Sequence, residues 1–110
     1  MFVRCAYFEG TIAPGDLARF EEVVRQGIAP AMSRFPGIRR LEFRFGRDFE
    51  TSQRCICFSI EHAYDSREDI HRAITSDARK AMQADLDELM DLFEGRVYHV
   101  NHEVHEAVVK

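Results

Sequence analysis

Two stretches decide the fold: residues 38–47, which read IRRLEFRFGR, and residues 54–62, which read RCICFSIEH. In the first, Leu41, Phe43 and Phe45 alternate with Arg40, Glu42 and Arg44. In the second, Ile56, Phe58 and Ile60 alternate with Cys55, Cys57, Ser59 and Glu61. A hydrophobic period of two places apolar side chains on one side of an extended chain, so each stretch predicts a half-buried strand. The polar link from Asp48 to Gln53 joins them as a hairpin whose connection is longer than the tightest turns.

Working outward, residues 2–9 (FVRCAYFE) end at Gly10 and are mostly apolar on both alternating faces, as a central strand would be. A helix follows, with Pro14 and Asp16 suited to its first turn. Leu17, Phe20, Val24, Ile28 and Ala31 recur at helical spacing, with Arg19, Glu22 and Arg25 opposite. Pro30 removes a backbone donor, so the last turn is expected to be kinked or broken, and Phe35-Pro36-Gly37 is a turn. After the hairpin, Asp65 or Ser66 caps a short helix, and Thr75 or Ser76 restarts a longer one. Ala78, Met82, Leu86, Leu89 and Phe93 form its buried stripe, Gly95 ends it, and residues 96–105 (RVYHVNHEVH) are the last strand. The order β-α-β-β-α-β predicts an α+β, ferredoxin-like domain spanning residues 1–110. Its sheet has four antiparallel strands, the first and third central, with both helices on one face.

The 110 residues suffice for one domain, and an apolar fraction of 45% with 31% charged residues describes a soluble globular protein. No apolar run approaches the ~20 residues that cross a bilayer, so no membrane partner is expected. Met1 to Cys5 lacks a basic segment leading into an apolar one, so no signal peptide is expected. Three cysteines, an odd number without framework spacing, fit a reducing cytoplasm. A net charge of −4 argues against nucleic acid as a partner. RNA-recognition domains share this element order, but the third strand lacks their basic-aromatic signature.

Helices on one face leave the other uncovered. Assigning each strand's most apolar side to the helices puts Arg40, Glu42, Arg44, Cys55, Cys57, Ser59 and Glu61 on the far face. His99, Asn101, Glu103 and His105 join them if Val100 and Val104 point to the helices. An apolar centre ringed by Arg, Glu and His predicts a homodimer whose facing sheets enclose a cavity for a small organic molecule. His99 and Glu61 are the candidates for proton transfer, with Arg40 and Arg44 to hold an anion and Cys57 and Asn101 lining the cavity. The same groups could instead form an ion-pair network at the dimer seam. His99 and His105 share one face of a strand while His102 points to the other, so the three cannot converge on one metal ion without a bulge. His62 and His71 read as surface residues, and the acidic run Asp85, Asp87, Glu88, Asp91 and Glu94 as a solvated helix face. No phosphate loop, nucleophile elbow or metalloprotease motif is present, and neither a metal nor a cofactor is expected.

Three features resemble the dimeric α+β barrel superfamily, and within it the ethyl tert-butyl ether degradation (EthD) family. They are Ile28-Ala29-Pro30-Ala31 leading to Phe35-Pro36-Gly37-Ile38-Arg39-Arg40, the Ser76-Asp77-Ala78 turn, and Ala84-Asp85-Leu86. The chain departs from that family where Gly27 and Ile28 stand in place of a histidine before the Ala-Pro pair, so no function of that histidine carries over. The resemblance implies a homodimer with a small-molecule cavity. Superfamily relatives include cofactor-free monooxygenases, lactone isomerases and members without assigned activity. Two readings stand: an enzyme isomerising or oxygenating a small organic molecule, and a non-catalytic binding or accessory module using the same dimer.

Overall fold

The structure is a computed structural model and describes residues 1–50 and 54–110; residues 51–53 of the polar link lie outside the described residues. In chain order the elements are β1 (Phe2–Ile12), a 3-10 turn at Pro14–Asp16, α1 (Leu17–Val23), a π-helical turn (Val24–Ile28) and α2 (Ala29–Met32). They continue with β2 (Arg40–Phe45), β3 (Ile56–Tyr64), α3 (Arg67–Ile74), α4 (Asp77–Ala81), α5 (Gln83–Asp91) and β4 (Phe93–Glu103). The sheet runs β2-β3-β1-β4 with every neighbour antiparallel, so the first and third strands are central.

The register sorts the side chains into rows, because residues directly opposite one another point to the same face. Toward the helices lie Leu41–His62–Arg4–Asn101, Phe43–Ile60–Ala6–His99 and Phe45–Phe58–Phe8–Val97. Away from them lie Arg40–Ala63–Val3–His102, Glu42–Glu61–Cys5–Val100 and Arg44–Ser59–Tyr7–Tyr98. The core fills the space under the helices, where Phe20, Phe58, Ile28, Leu89 and Tyr64 are fully buried. Phe8 meets Phe20, Phe58 and Phe93 edge-on, with ring centroids 5.1–6.3 Å apart.

Two predicted boundaries need correction. Pro30 does not break its helix, which runs on to Met32. The adjustment sits one turn earlier, where the Ala29 N–H bonds the Val24 carbonyl in a widened π turn. Widening the helix there eases the clash a proline ring makes with the preceding turn, and it buries Val23 beside Val24. Gly95 is not a helix cap either: α5 stops at Asp91, and β4 begins at Phe93. Gly95 instead faces Gly10 across the β1–β4 pair, extending β1 to Ile12. A Cβ on Gly10 would lie 2.1 Å from the Glu94 carbonyl oxygen, so this crossing admits glycine alone. The predicted caps do form: Ser66 Oγ accepts from the Asp69 N–H and Ser76 Oγ from the Arg79 N–H.

Candidate functional site

Ala6 is the small member of its row. Where the flanking strand carries Ile60 and one neighbouring row carries Phe8 and Phe58, a methyl group leaves space above the sheet. A cavity of about 410 Å³ opens there, between the β1–β4 half of the sheet and α4 and α5. Ala6, Phe8, Ile60, Phe35 and Met82 form its buried floor, and Gln83, Asp87, Met90 and His99 stand exposed at its mouth. Arg4, His62 and Arg79 add the polar groups. A volume of several hundred Å³, mostly apolar with a few convergent polar groups, has the make-up of a small-molecule site.

His62 is the buried anchor of this polar set. It is 4% exposed, and its Nδ1 shares a 2.6 Å hydrogen bond with the Tyr64 hydroxyl. Burial, with the Arg4 charge and His99 adding to it, holds the imidazole down to about 4, so it is neutral at physiological pH. Burial likewise pushes the Tyr64 hydroxyl well above its ordinary range. Arg4, directly opposite His62 on the next strand, donates from Nη1 to Oδ1 of Asn101 at 3.1 Å. Although exposed at the mouth, His99 is pushed below its ordinary value first by the partial desolvation of its ring, then by Arg4 and Arg79. Arg79 donates to Oε1 of Gln83 at 3.1 Å, and Gln83 Nε2 donates to Oδ1 of Asp87 at 2.9 Å.

The far face holds a different cluster. Glu61 accepts from Arg44 at 2.8 Å and lies 3.6 Å from Arg40, while Arg44 also reaches Glu42 at 2.7 Å. The Arg44 guanidinium holds the Glu61 carboxyl below the usual carboxylate range. Cys5 lies 3.7 Å from Glu61, and burial pushes its thiol up. The Tyr7 hydroxyl, 3.2 Å from His102 Nε2, is pushed up to about 12, chiefly by its neighbour Cys5. At neutral pH neither Cys5 nor Tyr7 offers an anionic nucleophile here.

The predicted site residues are therefore divided by the sheet. Arg40, Arg44 and Glu61 lie on the far face as expected and bond one another. His99 and Asn101 were expected there too, but β4 pairs with β1 so that Tyr98, Val100 and His102 take that face while His99 and Asn101 look toward the helices. The physical reason is a one-residue difference in register, which moves every side chain of a strand to the other side. His99 and Glu61 consequently cannot act on one substrate atom. Cys57 belongs with neither group. A bulge sets both Phe8–Phe58 and Glu9–Ile56 in pairs and displaces the residue between, so Cys57 Sγ donates to the Phe8 carbonyl at 3.5 Å. It lines a second, open cavity of about 540 Å³ beside Gly10, Gly46 and Arg47.

Arg4, His62 and Arg79 join the site from positions that carry no motif, and His62, whose place near a strand end reads as surface, is buried. A signal was present: Phe58, Ile60, His62 and Tyr64 continue one alternating face that the predicted strand end at residue 62 cut short. In the acidic run, Glu88 pairs with Arg19 and Asp87 stands at the cavity mouth.

No protein-family model matches the sequence, and no curated protein matches it. Solved structures do. An EthD-family protein from Bacillus halodurans C-125 superposes with a TM-score of 0.74 at 21% identity, over 96% of this chain and 100% of that one. The likeness is one of fold, the ferredoxin-like α+β arrangement. SnoaB, a cofactor-independent oxygenase from Streptomyces nogalater, superposes with a TM-score of 0.68 at 17% identity, over 99% and 97% of the two chains. A dimeric ferredoxin-like protein from Jannaschia sp. CCS1 does so with a TM-score of 0.67 at 15% identity, over 94% and 98%. The resemblance read from Pro30, Phe35-Pro36-Gly37 and Ser76-Asp77-Ala78 thus holds at the level of the fold.

Proposed function

We propose that this α+β barrel chain binds a small organic molecule in the cavity under its helices and moves a proton on it, in an isomerisation or a cofactor-independent oxygenation. One observation carries the reading: an apolar cavity of about 410 Å³ on which His62, His99, Arg4 and Arg79 converge. His99 at the mouth is the group able to accept a proton, because its depressed basicity leaves it neutral at pH 7 and no carboxylate holds it among the described residues. A proton taken from an acidic C–H or O–H leaves an enolate or phenolate beside two guanidinium groups. Returning the proton to another carbon completes an isomerisation, and electron transfer to dioxygen begins an oxygenation. SnoaB, with the same fold, is a cofactor-independent oxygenase, which supports the second route.

The apolar far face supports a homodimer in this reading, the odd number of cysteines supports a reducing cytoplasm, and the net charge of −4 argues against a nucleic acid partner. Its charged edge of Arg40, Arg44 and Glu61 then belongs to the subunit seam rather than to substrate. The non-catalytic alternative is favoured by one observation: His62 is locked to Tyr64 and does not titrate near neutrality.

Exchange of the α-protons of 2-tetralone into D2O separates the two readings. The full chain is expected to accelerate exchange over buffer, and His99→Ala to lose ~100-fold of that acceleration. Saturation-transfer signals showing 2-tetralone bound while exchange stays at the buffer rate would select the binding module and remove His99 from chemistry.

A further inference from the structure

Two arginines line the cavity, and their surroundings leave their charge unmatched. Arg4 is half-buried and spends one of its five N–H donors on Asn101. Arg79 spends one on Gln83. Among the described residues neither forms an ion pair, whereas Arg19, Arg44 and Arg96 all find carboxylates outside the cavity. An exposed arginine without a carboxylate is ordinary, but one set over an apolar floor of Ala6, Phe8 and Ile60 is not, because charge in such a place demands a partner. The other groups facing the cavity do not supply it. His62 and His99 are neutral at physiological pH, and they carry no negative charge in any state. Asp87 stands exposed at the mouth and already accepts from Gln83. Burial most of all disfavours the guanidinium of Arg4, Tyr64 works against this, and the like charge of Arg79 adds to it, a net penalty that an anion would relieve.

We propose that the ligand of this cavity is an organic carboxylate with an apolar body, its carboxylate held between Arg4 and Arg79 and its body lying over Ala6 toward Phe8 and Val97. The inference rests on the cavity reading above and adds the charge and orientation of the ligand. A planar guanidinium fork matches a carboxylate in two parallel hydrogen bonds, and the low local dielectric strengthens them. Arg4 and Phe8 are four residues apart on β1, about 13 Å at the rise of an extended strand, so the cavity has a charged end and an apolar end. Asn101 is then a positioning residue, since it holds Arg4 rather than the ligand.

Isothermal titration of the full chain at pH 7 with 2-naphthoic acid and with its uncharged methyl ester tests this. The acid is expected to bind tighter than the ester by about tenfold or more. R4Q/R79Q should abolish that preference by weakening the acid far more than the ester, and Ala6→Leu should weaken both probes. Should the double variant fail to fold by circular dichroism, Arg79→Gln alone, on the outer helix layer, is expected to remove part of the preference. Equal binding of acid and ester, with Ala6→Leu weakening both, overturns the carboxylate assignment and leaves the cavity reading standing. A preference that survives loss of the arginines overturns their role. Binding of neither probe overturns the cavity reading and this inference with it.

Discussion

His62 shows what one side chain does when the strand carrying it turns it inward. In an unfolded chain its imidazole takes up a proton near pH 6.5, whereas in the fold it resists protonation down to about 4. Between those values the unfolded state binds a proton that the native state refuses, so stability falls as pH falls through this window and levels off below it. The loss from this residue reaches about 2 kcal/mol by pH 5. His99, whose basicity is also depressed, acts in the same direction. Urea unfolding of the wild type and His62→Gln at pH 7 and pH 5 reads the effect: the wild type should lose more stability on acidification than the variant. Equal losses would mean that His62 titrates normally in the fold. Glu61 is linked in the same direction, since Arg44 lowers its carboxyl, but its contribution is lost only in stronger acid, as pH falls through and below the ordinary carboxylate range.

At the scale of elements, the β1–β4 pair decides most. Its register runs unbroken from Phe2–Glu103 to Ile12–Phe93, eleven pairs that commit His99 and Asn101 to the cavity and Tyr98 and Val100 to the far face. The Gly10–Gly95 crossing holds the two strands together at the end where α5 hands the chain to β4. A Cβ on Gly95 would lie 2.2 Å from the Glu9 carbonyl oxygen, and the backbone there, with φ of 149°, disfavours any L side chain. Gly95→Ala is therefore expected to cost more than about 1 kcal/mol, measured as a lowered urea midpoint. Gly15→Ala is the control, because nothing lies within 4 Å of its Cβ position. If both variants unfold alike, the close approach is not a constraint. Periodicity revealed the elements themselves, because burial on one side writes period two or 3.6 directly into the chain. It could not reveal the register of β4. Residues 96–105 carry Val97 on one face and Val100 on the other, so the hydrophobic pattern is nearly balanced, and pairing with β1 breaks the tie.

Across the whole molecule, helices cover one side of the sheet, and among the described residues no helix covers the other. Tyr98 and Val100, 37% and 36% exposed, extend an apolar patch that includes Tyr7 and the buried Val3 and Cys5. An exposed apolar patch of this kind is where the proposed homodimer would pair. Native mass spectrometry is expected to give twice the subunit mass for the wild type and the subunit mass for Val100→Glu, with the fold retained by circular dichroism. A wild-type monomer at micromolar concentration would overturn the dimer. No helix among the described residues is long and apolar enough to cross a membrane.

The alternation in 38–47 and 54–62, the caps at Ser66 and Ser76 and the helical stripe from Leu17 to Ala31 determined the βαββαβ order, since each depends only on neighbours along the chain. The far-face cluster of Arg40, Arg44 and Glu61 was legible for the same reason: strong alternation leaves the face of each residue in no doubt. The site under the helices was not. It exists because Ala6 meets Ile60 and His99 across two strand pairings, and because Arg79 comes from a helix 73 residues further along the chain. Contacts between residues so far apart are set by packing and register, which only the tertiary structure decides.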